Sequence, residues 1–339
     1  MNTAWIKLPE KDKITILEQT AARTGYVVQA IEKDWWVTTV LEALFSLPFA
    51  DHLSFKGGTS LSKCWQLVNR FSEDVDIAIN REFLGFGGEL SKNKRNDGLR
   101  RAACTFVRGK MKQGVEEQLL TMGLTKVMFS VIVNETPVST TDPETIEVHY
   151  KSLFAAASYI QTRVLIEVSG RSMAEPIESI NIKTLVATTF PNVPYADTEF
   201  AVRAVSPKRT FLEKAFLLHE ELHRAEGLMR VERMSRHLYD LEKLMDTAMA
   251  TEALADMEFY NSVIEHRRLF IGLNGFDYDT LQPATINFVP PANILKDWED
   301  DYIKMQRSMI QGNSLPFADL IARINLLNER FRALAAAVK

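Results

Sequence analysis

The chain has 339 residues, with 40 Lys and Arg against 44 Asp and Glu, a formal charge of -4. That length predicts two domains or one large core with a substantial appendage, and a content of 46% apolar and 25% charged residues excludes a wholly disordered chain. Two cysteines, Cys64 and Cys104, exclude a disulfide framework and lack zinc-site spacing. There is no leader pattern and no uninterrupted apolar run long enough for a bilayer, Val37–Ala50 being short and interrupted, so a cytoplasmic protein without membrane contact is expected.

Residues 10–50 read as helical with a break at Thr24-Gly25. In the second piece Trp36, Val40, Ala43, Leu44 and Leu47 form an apolar stripe, with Ile31, Trp35, Thr38, Thr39 and Glu42 also at helical intervals. Pro48 ends it. After Lys56-Gly57-Gly58 a helix is predicted from Thr59 or Ser60, with Leu61, Trp65 and Val68 inward. Val75–Ile79 reads as a strand carrying Asp74 and Asp76 on one face and Val75, Ile77 and Ile79 on the other. A glycine-containing loop over 80–98 leads into a basic helix from about Leu99 to Leu120. Strands are predicted at Lys126–Val133, Ile146–Tyr150 and Thr162–Ser169, and Ile180–Thr189 is left as strand or short helix. From Ser206 the chain turns helical, over Thr210–Gly227, Val231–Met249, Thr251–Phe270, Trp298–Ile310 and Pro316–Ala337. A buried stripe is expected at Leu238, Leu241, Met245 and Ala248. This gives a helical lead-in over 1–50, an α/β region over 51–205 and a helical region over 206–339. The fold class is α/β (α+β), a small mixed sheet flanked by helices.

Two short stretches carry the chemistry. Gly57 and Gly58 permit a tight turn and close approach of backbone to an anion. Thr59 and Ser60 supply hydroxyls at a helix start, whose N–H groups and dipole favour phosphate, and Lys63 follows one turn on. Downstream, Asp74 and Asp76 point the same way from one strand. Clustered carboxylates repel unless a cation lies between them, and Mg²⁺ takes such hard oxygens together with substrate phosphates. The pair describes a triphosphate held by a helix start and a metal held by two aspartates, which suits nucleotidyl or phosphoryl transfer. The Walker pattern is absent. Glu167, a charge inside an apolar strand, ranks above Glu147 as the third acid; an edge strand facing solvent would explain either equally well.

Further basic groups lie on helices. Arg209 and Lys214 open one, and Arg233, Arg236, His237 and Asp240 share a face of the next. Arg209, Lys214 and Arg236 are candidates for nucleotide phosphates, with Asp240 orienting Arg236 or Lys214; a salt-bridged surface accounts for the same spacing. His219 and the two cysteines read as structural. Eight cations lie between Lys92 and Lys112, with Asp97 the sole acid, which predicts an anionic contact, a solvated helix or the docking face of an acidic partner.

With these residues in view, the chain resembles the AbiEii/AbiGii nucleotidyl transferase toxin family of the DNA polymerase β-like superfamily. The resemblance is carried by Lys56-Gly57-Gly58-Thr59-Ser60-Leu61-Ser62-Lys63, Arg70-Phe71-Ser72-Glu73-Asp74-Val75-Asp76, Thr210-Phe211-Leu212-Glu213-Lys214 and Arg236-His237-Leu238-Tyr239-Asp240-Leu241. Glu32-Lys33-Asp34-Trp35-Trp36 also fits. It implies a nucleotidyltransferase core over 51–205 and a helical part closing a nucleotide cleft. Asp74, Asp76 and a third acid, Glu167, would bind Mg²⁺ or Mn²⁺. Gly57, Gly58, Thr59, Ser60, Lys63 and Ser72 would hold an NTP, together with Arg209 and Arg236, while Lys214 and Asp240 would match motifs needed for toxicity. The Gly-Thr and the fourteen residues between Thr59 and Asp74 depart from the superfamily's Gly-Ser and shorter spacing but resemble the AbiEii branch. Members act beside a winged-helix AbiEi-type antitoxin in toxin–antitoxin or abortive phage-infection pairs, and some add nucleotides to the tRNA 3′ end. The implied reaction is attack of an acceptor hydroxyl, that of tRNA or another RNA, on the α-phosphorus of an NTP. Two other readings fit the same residues: a nucleotidyl- or phosphotransferase acting on protein, and a non-catalytic partner-binding protein of the same fold.

Overall fold

A computed structural model describes the chain except residues 1–2, 73, 134–142, 156–159, 174, 197, 226 and 338–339. It divides into two compact units. The first comprises residues 1–64 and 71–205, the second residues 65–70 and 206–339.

Unit 1 is built on a sheet of seven strands among the described residues: β1 (Leu53–Lys56), β2 (Asp74–Ile79), β3 (Phe129–Val133), β4 (Glu144–Tyr150), β5 (Arg163–Ser169), β6 (Ile177–Ile182) and β7 (Phe200–Val205). Their order is β3-β4-β5-β2-β1-β7-β6. The β2–β5 and β1–β7 pairs are parallel; the others are antiparallel. β1 and β7 carry no strand expectation from the sequence: β1 has four residues and runs directly into Gly57. The ambiguous stretch 180–189 resolves into both alternatives, the end of β6 followed by a short helix, Leu185–Thr189, which Thr184 caps through the Ala187 N–H.

Helices α1 (Thr3–Lys7), α2 (Glu10–Thr24) and α3 (Val28–Phe45) come first. Gly25 ends α2 in the left-handed conformation, φ 78°, as its lack of a Cβ allows. The sequence predicts one apolar face on α3; in the structure α3 is buried on nearly every side, including Glu32, Lys33 and Asp34. Those acids are tolerated because they are bonded. Glu32 accepts from Ser152 Oγ at 2.5 Å and Leu153 N at 2.7 Å, and Asp34 from Lys63 and the Leu185 N–H. Buried Val75, Ile77, Ile146, Val148, Val164, Ile166 and Val168 give the sheet an apolar face in one core with α3.

α4 (Gly57–Lys63) starts at Gly57, two or three residues before the expected Thr59 or Ser60, and stops at Lys63. Gln66, at φ 52°, lies outside any helix, so Trp65 and Val68 do not continue α4's inward face. The basic helix runs from Lys94 to Thr121 as α5 (Leu99–Phe106) and α6 (Lys112–Thr121) joined to π-helical turns at Lys94–Gly98 and Val107–Met111.

In unit 2, α8 (Pro207–Leu222), following the short helix α7 (Leu185–Thr189), precedes α9 (Ser235–Leu244), α10 (Ala248–Ala255), α11 (Met257–His266), α12 (Leu295–Ser308) and α13 (Phe317–Ala337). The single helix expected over 251–270 is broken because Asp256 caps α11 through the Phe259 N–H. Leu238, Leu241 and Met245 are buried as expected. Ala248 is exposed, because Thr247 starts a new helix there rather than extending α9. Phe211, Tyr260, Phe288 and Phe331 pack ring against ring in the core.

Candidate functional site

The alternation of β2 buries Val75 and Ile77 and leaves Asp74 and Asp76 half-buried on the opposite face. β5 alternates likewise and, being parallel to β2, sets Glu167 in register with Asp76 and Leu165 with Asp74. On the other side, antiparallel β1 pairs Lys56 with Asp76; β4 pairs Thr145 with Glu167. Lys56, Asp76, Glu167 and Thr145 therefore form one row across four strands, with side chains on one face at neighbour spacing. Glu147 lies one row away, opposite Leu165, and is ion-paired with Arg163 and with His149 at 2.7 Å. Lys56 is a residue that sequence reasoning missed: its place depends on the β1–β2 register, and its one local signal is adjacency to Gly57.

Gly57 adopts φ +79°, and a Cβ built on it would lie 2.8 Å from Asp76 Cγ and nearer still to Oδ2. Only glycine lets the backbone turn there against the carboxylate. Helix α4 begins at that residue, and its N-cap residue, Lys56, makes no side-chain cap hydrogen bond. Thr59 Oγ1 donates to the Asp74 carbonyl at 2.5 Å, tying α4 to the first residue of β2. Ser60 is buried beside Cys64, and burial pushes the Cys64 thiol up to about 12. Lys63 Nζ donates to Asp34 Oδ1 at 2.5 Å, both groups under 10% exposed, while Asp34 Oδ2 accepts the Leu185 N–H at 2.7 Å. The ammonium expected at a phosphate is thus committed to fastening α4 to α3. Ser72 is half-buried two residues before β2, and Glu73 lies outside the described residues. Among the described residues no group of three or more His, Cys, Asp or Glu side chains is assembled to hold a metal ion.

The second constellation lies in unit 2. Asp240 is fully buried and accepts from Arg70 Nε at 2.6 Å and Nη2 at 2.8 Å, a bidentate fork. Lys214 Nζ lies 2.8 Å from its Oδ2 and 3.4 Å from His237 Nδ1. Burial alone would raise the Asp240 carboxyl, but Arg70 and Lys214 hold it well below the usual carboxylate range. Burial lowers Lys214, against the pull of Asp240. Burial, then Lys214 and Arg236, push His237 well below an ordinary imidazole. Arg236, half-buried, adds a further positive charge. Arg209 is buried over the Phe259 ring at 5.2 Å and 3.8 Å from Glu213. Arg233 stands apart, its backbone N–H on Asp301 at 2.6 Å. His219 bridges the Asn287 backbone and Thr280, the structural role its isolation suggests.

In the basic stretch, Arg100 pairs with Asp97 at 2.8 Å and Arg108 with buried Glu144 at 3.0 Å. Lys92, Lys94, Arg101 and Lys110 are exposed. No described helix is long and apolar enough to cross a membrane.

Compared with known proteins, the chain is similar to the crystal structure of JHP933 from Helicobacter pylori, with 12% identity, 91% of this chain and 94% of that chain covered, and a TM-score of 0.44. No curated protein matches it. Residues 39–336 match the family described as nucleotidyl transferase AbiEii toxin, type IV TA system. A match over that much of the sequence identifies the chain as a member of the AbiEii family of nucleotidyl transferase toxins.

Proposed function

We propose that this toxin moves a nucleotide from an NTP to an acceptor hydroxyl at the tRNA 3′ end, with a divalent metal ion, in the cytoplasm. The observation that supports this reading is the row in which Gly57 abuts Asp76 and Asp76 adjoins Glu167 and Lys56. The donor set of carboxylate oxygens on one face, beside backbone that leaves no room for a Cβ, fits a hard cation completed by substrate phosphates. Asp74, Asp76 and Glu167 would hold Mg²⁺ or Mn²⁺, which would neutralise phosphate charge on the substrate.

The chain's own groups do the rest. The Gly57-Gly58-Thr59-Ser60 helix start binds phosphate through backbone N–H groups and dipole. Lys56 adds a cation beside Asp76. Lys63 keeps α4 in place through Asp34, so its effect on the nucleotide is one of positioning. Ser72 lies at the entry to β2 on the same route. The carboxylate row receives the proton of the attacking hydroxyl as its oxygen bonds to the α-phosphorus and pyrophosphate departs. Within unit 2, Arg209, Lys214 and Arg236 are assigned to anion binding, and Asp240 to fixing Lys214 and Arg70. The exposed cations between Lys92 and Lys112 suit an RNA backbone, with a salt-sensitive affinity. A winged-helix AbiEi-type antitoxin is the expected partner.

The test incubates the purified chain with each α-³²P-labelled NTP, Mg²⁺ or Mn²⁺ and tRNA, beside Asp76→Ala. Label reaching tRNA only with the unaltered chain is expected. Label reaching protein instead, or transfer undiminished in Asp76→Ala, overturns the assignment.

A further inference from the structure

The open face of the sheet continues past the carboxylate row. On β5 the residues that share a face with Glu167 are Leu165 and Arg163, two and four positions before it. Strand geometry puts them about 6.6 Å and about 13 Å from Glu167 along the strand. β4 lies alongside, with Thr145 opposite Glu167, Glu147 opposite Leu165 and His149 opposite Arg163. Leu165 is half-buried, an apolar residue set between charged Asp74 and Glu147. Beyond Glu147, on β3, Ile132 is 49% exposed.

Three of these side chains are fastened together. Arg163 Nη1 donates to Glu147 Oε1, and His149 Nε2 lies 2.7 Å from Glu147 Oε2. Arg163 Nε donates to Gln161 Oε1 at 2.6 Å, so the guanidinium is held from two sides and does not depend on Glu147 alone. Because Glu147 stands level with Leu165, its bond draws the guanidinium back toward the Leu165 row, one step from Glu167. The Arg163 side chain is 26% exposed, and its Nη2 has no partner among the described residues. A guanidinium fixed in this way, with one N–H edge left over, is suited to a phosphate oxygen.

The direction of attack decides what this face is for. Lys56 and Gly57, where α4 starts, flank Asp76 on the β1 side, which is where the triphosphate of the transfer reaction proposed above lies. In such transfers the attacking and leaving oxygens stand roughly in line across the phosphorus. With pyrophosphate leaving toward β1, the acceptor hydroxyl has to approach from β5 and β4, over Glu167 and Thr145. We propose that this face is the acceptor subsite: the last nucleotide of a single-stranded RNA 3′ end lies against Leu165, and the Arg163 guanidinium binds the phosphate joining the last two nucleotides. One row of the sheet and one nucleotide of extended strand are of similar length, so a 3′ hydroxyl at Glu167 brings that phosphate level with the guanidinium. The subsite rests on the transfer reaction proposed above and names the side from which its acceptor enters.

Transfer by the full-length protein is measured on tRNA whose 3′ end is ligated from synthetic RNA, with tRNA and NTP varied separately. An uncharged methylphosphonate between the last two nucleotides should raise the parent's KM for tRNA roughly tenfold, the worth of one hydrogen bond between charged groups, and leave the KM for NTP unchanged. The same replacement several linkages further in should have little effect. Arg163→Gln should raise the KM of ordinary tRNA by a similar factor and no longer distinguish the methylphosphonate, and Arg163→Lys, which keeps the charge, should recover part of the loss. Leu165→Ala should raise the KM for tRNA about threefold with that for NTP unchanged. A parent indifferent to the methylphosphonate, or an Arg163→Gln protein that still distinguishes the two linkages, would overturn the subsite and leave the transfer reaction standing. A parent that labels no RNA would overturn both.

Discussion

Gly57→Ala puts the contact between the turn and the carboxylate to the test. The added Cβ would sit 2.8 Å from Asp76 Cγ and 3.1 Å from its Cβ, with Oδ2 closer still. Turning the carboxylate about χ2 moves the oxygens but leaves Cγ in place, so the clash clears only if χ1 changes or the turn backs away. The backbone adds its own cost, because alanine at φ +79° is held in the left-handed region at about 1–2 kcal/mol. Displacing a packed side chain adds about 1–3 kcal/mol, for a total of roughly 2–5 kcal/mol. In a unit of this size that lowers Tm by roughly 4–20 °C. The steric part should vanish when Asp76 is replaced by glycine, while the backbone part remains. Thermal melts of the parent, Gly57→Ala, Asp76→Gly and the double variant therefore form a cycle, with an expected coupling of about 1–3 kcal/mol. Transfer of label from α-³²P-NTP should be lost in Gly57→Ala, since the carboxylate must leave its row. A Gly57→Ala protein with parental Tm, or melts that are additive across the cycle, would refute the contact.

Glu167→Gln should remove most transfer activity, whereas Glu147→Gln should leave it nearly intact and lower Tm slightly by releasing Arg163 and His149; a matched transfer assay separates them. Asp240→Asn leaves Arg70 and Lys214 buried without their shared anion and should cost about 3–5 kcal/mol in urea denaturation, against less than 1 kcal/mol for exposed pairs such as Arg100–Asp97. His219 is buried and neutral, held down to about 4 from the ordinary 6.5. The unfolded chain therefore takes up a proton there first, and stability present above pH 6.5 declines as pH falls toward 4, by up to roughly 3 kcal/mol. His237 acts in the same direction, so His219→Gln should flatten the slope only in part, as read from urea midpoints across that window. Reversing Lys94, Arg101 and Lys110 to Glu should weaken tRNA binding and reduce its salt dependence, with melting unchanged.

Local pattern reached some of this and register the rest. The placing of Asp74 and Asp76 on one face was legible because strand side chains alternate, and the apolar residues between them mark which face is inside. Choosing Glu167 over Glu147 was harder: both interrupt an apolar strand, and only the β2–β5 pairing sets one beside Asp76. Lys56 stood at the head of the glycine motif, but its place beside Asp76 was not legible because β1 is too short to announce itself. The commitment of Lys63 to Asp34 joins residues 29 apart in sequence, and no local rule anticipates it. For α3, amphipathic periodicity assumes one wet face; a helix enclosed on nearly every side with its acids bonded does not announce itself that way. Arg70 stood in a recognisable motif, yet its carboxylate partner lies on a helix whose packing the motif does not describe.

The position of Arg70 also has a temporal consequence. Residues 65–70 belong with a unit whose other members begin at 206, and Asp240 lies 170 positions after Arg70. During vectorial synthesis at about 5–20 residues per second, roughly 10–30 s separate the two as they leave the ribosome. Throughout that interval the strand acids and the glycine turn exist in the nascent chain while the Arg70 clamp has no counterpart. Each newly made toxin thus passes through a stage in which unit 2 cannot be complete, and a partner present during translation meets it then.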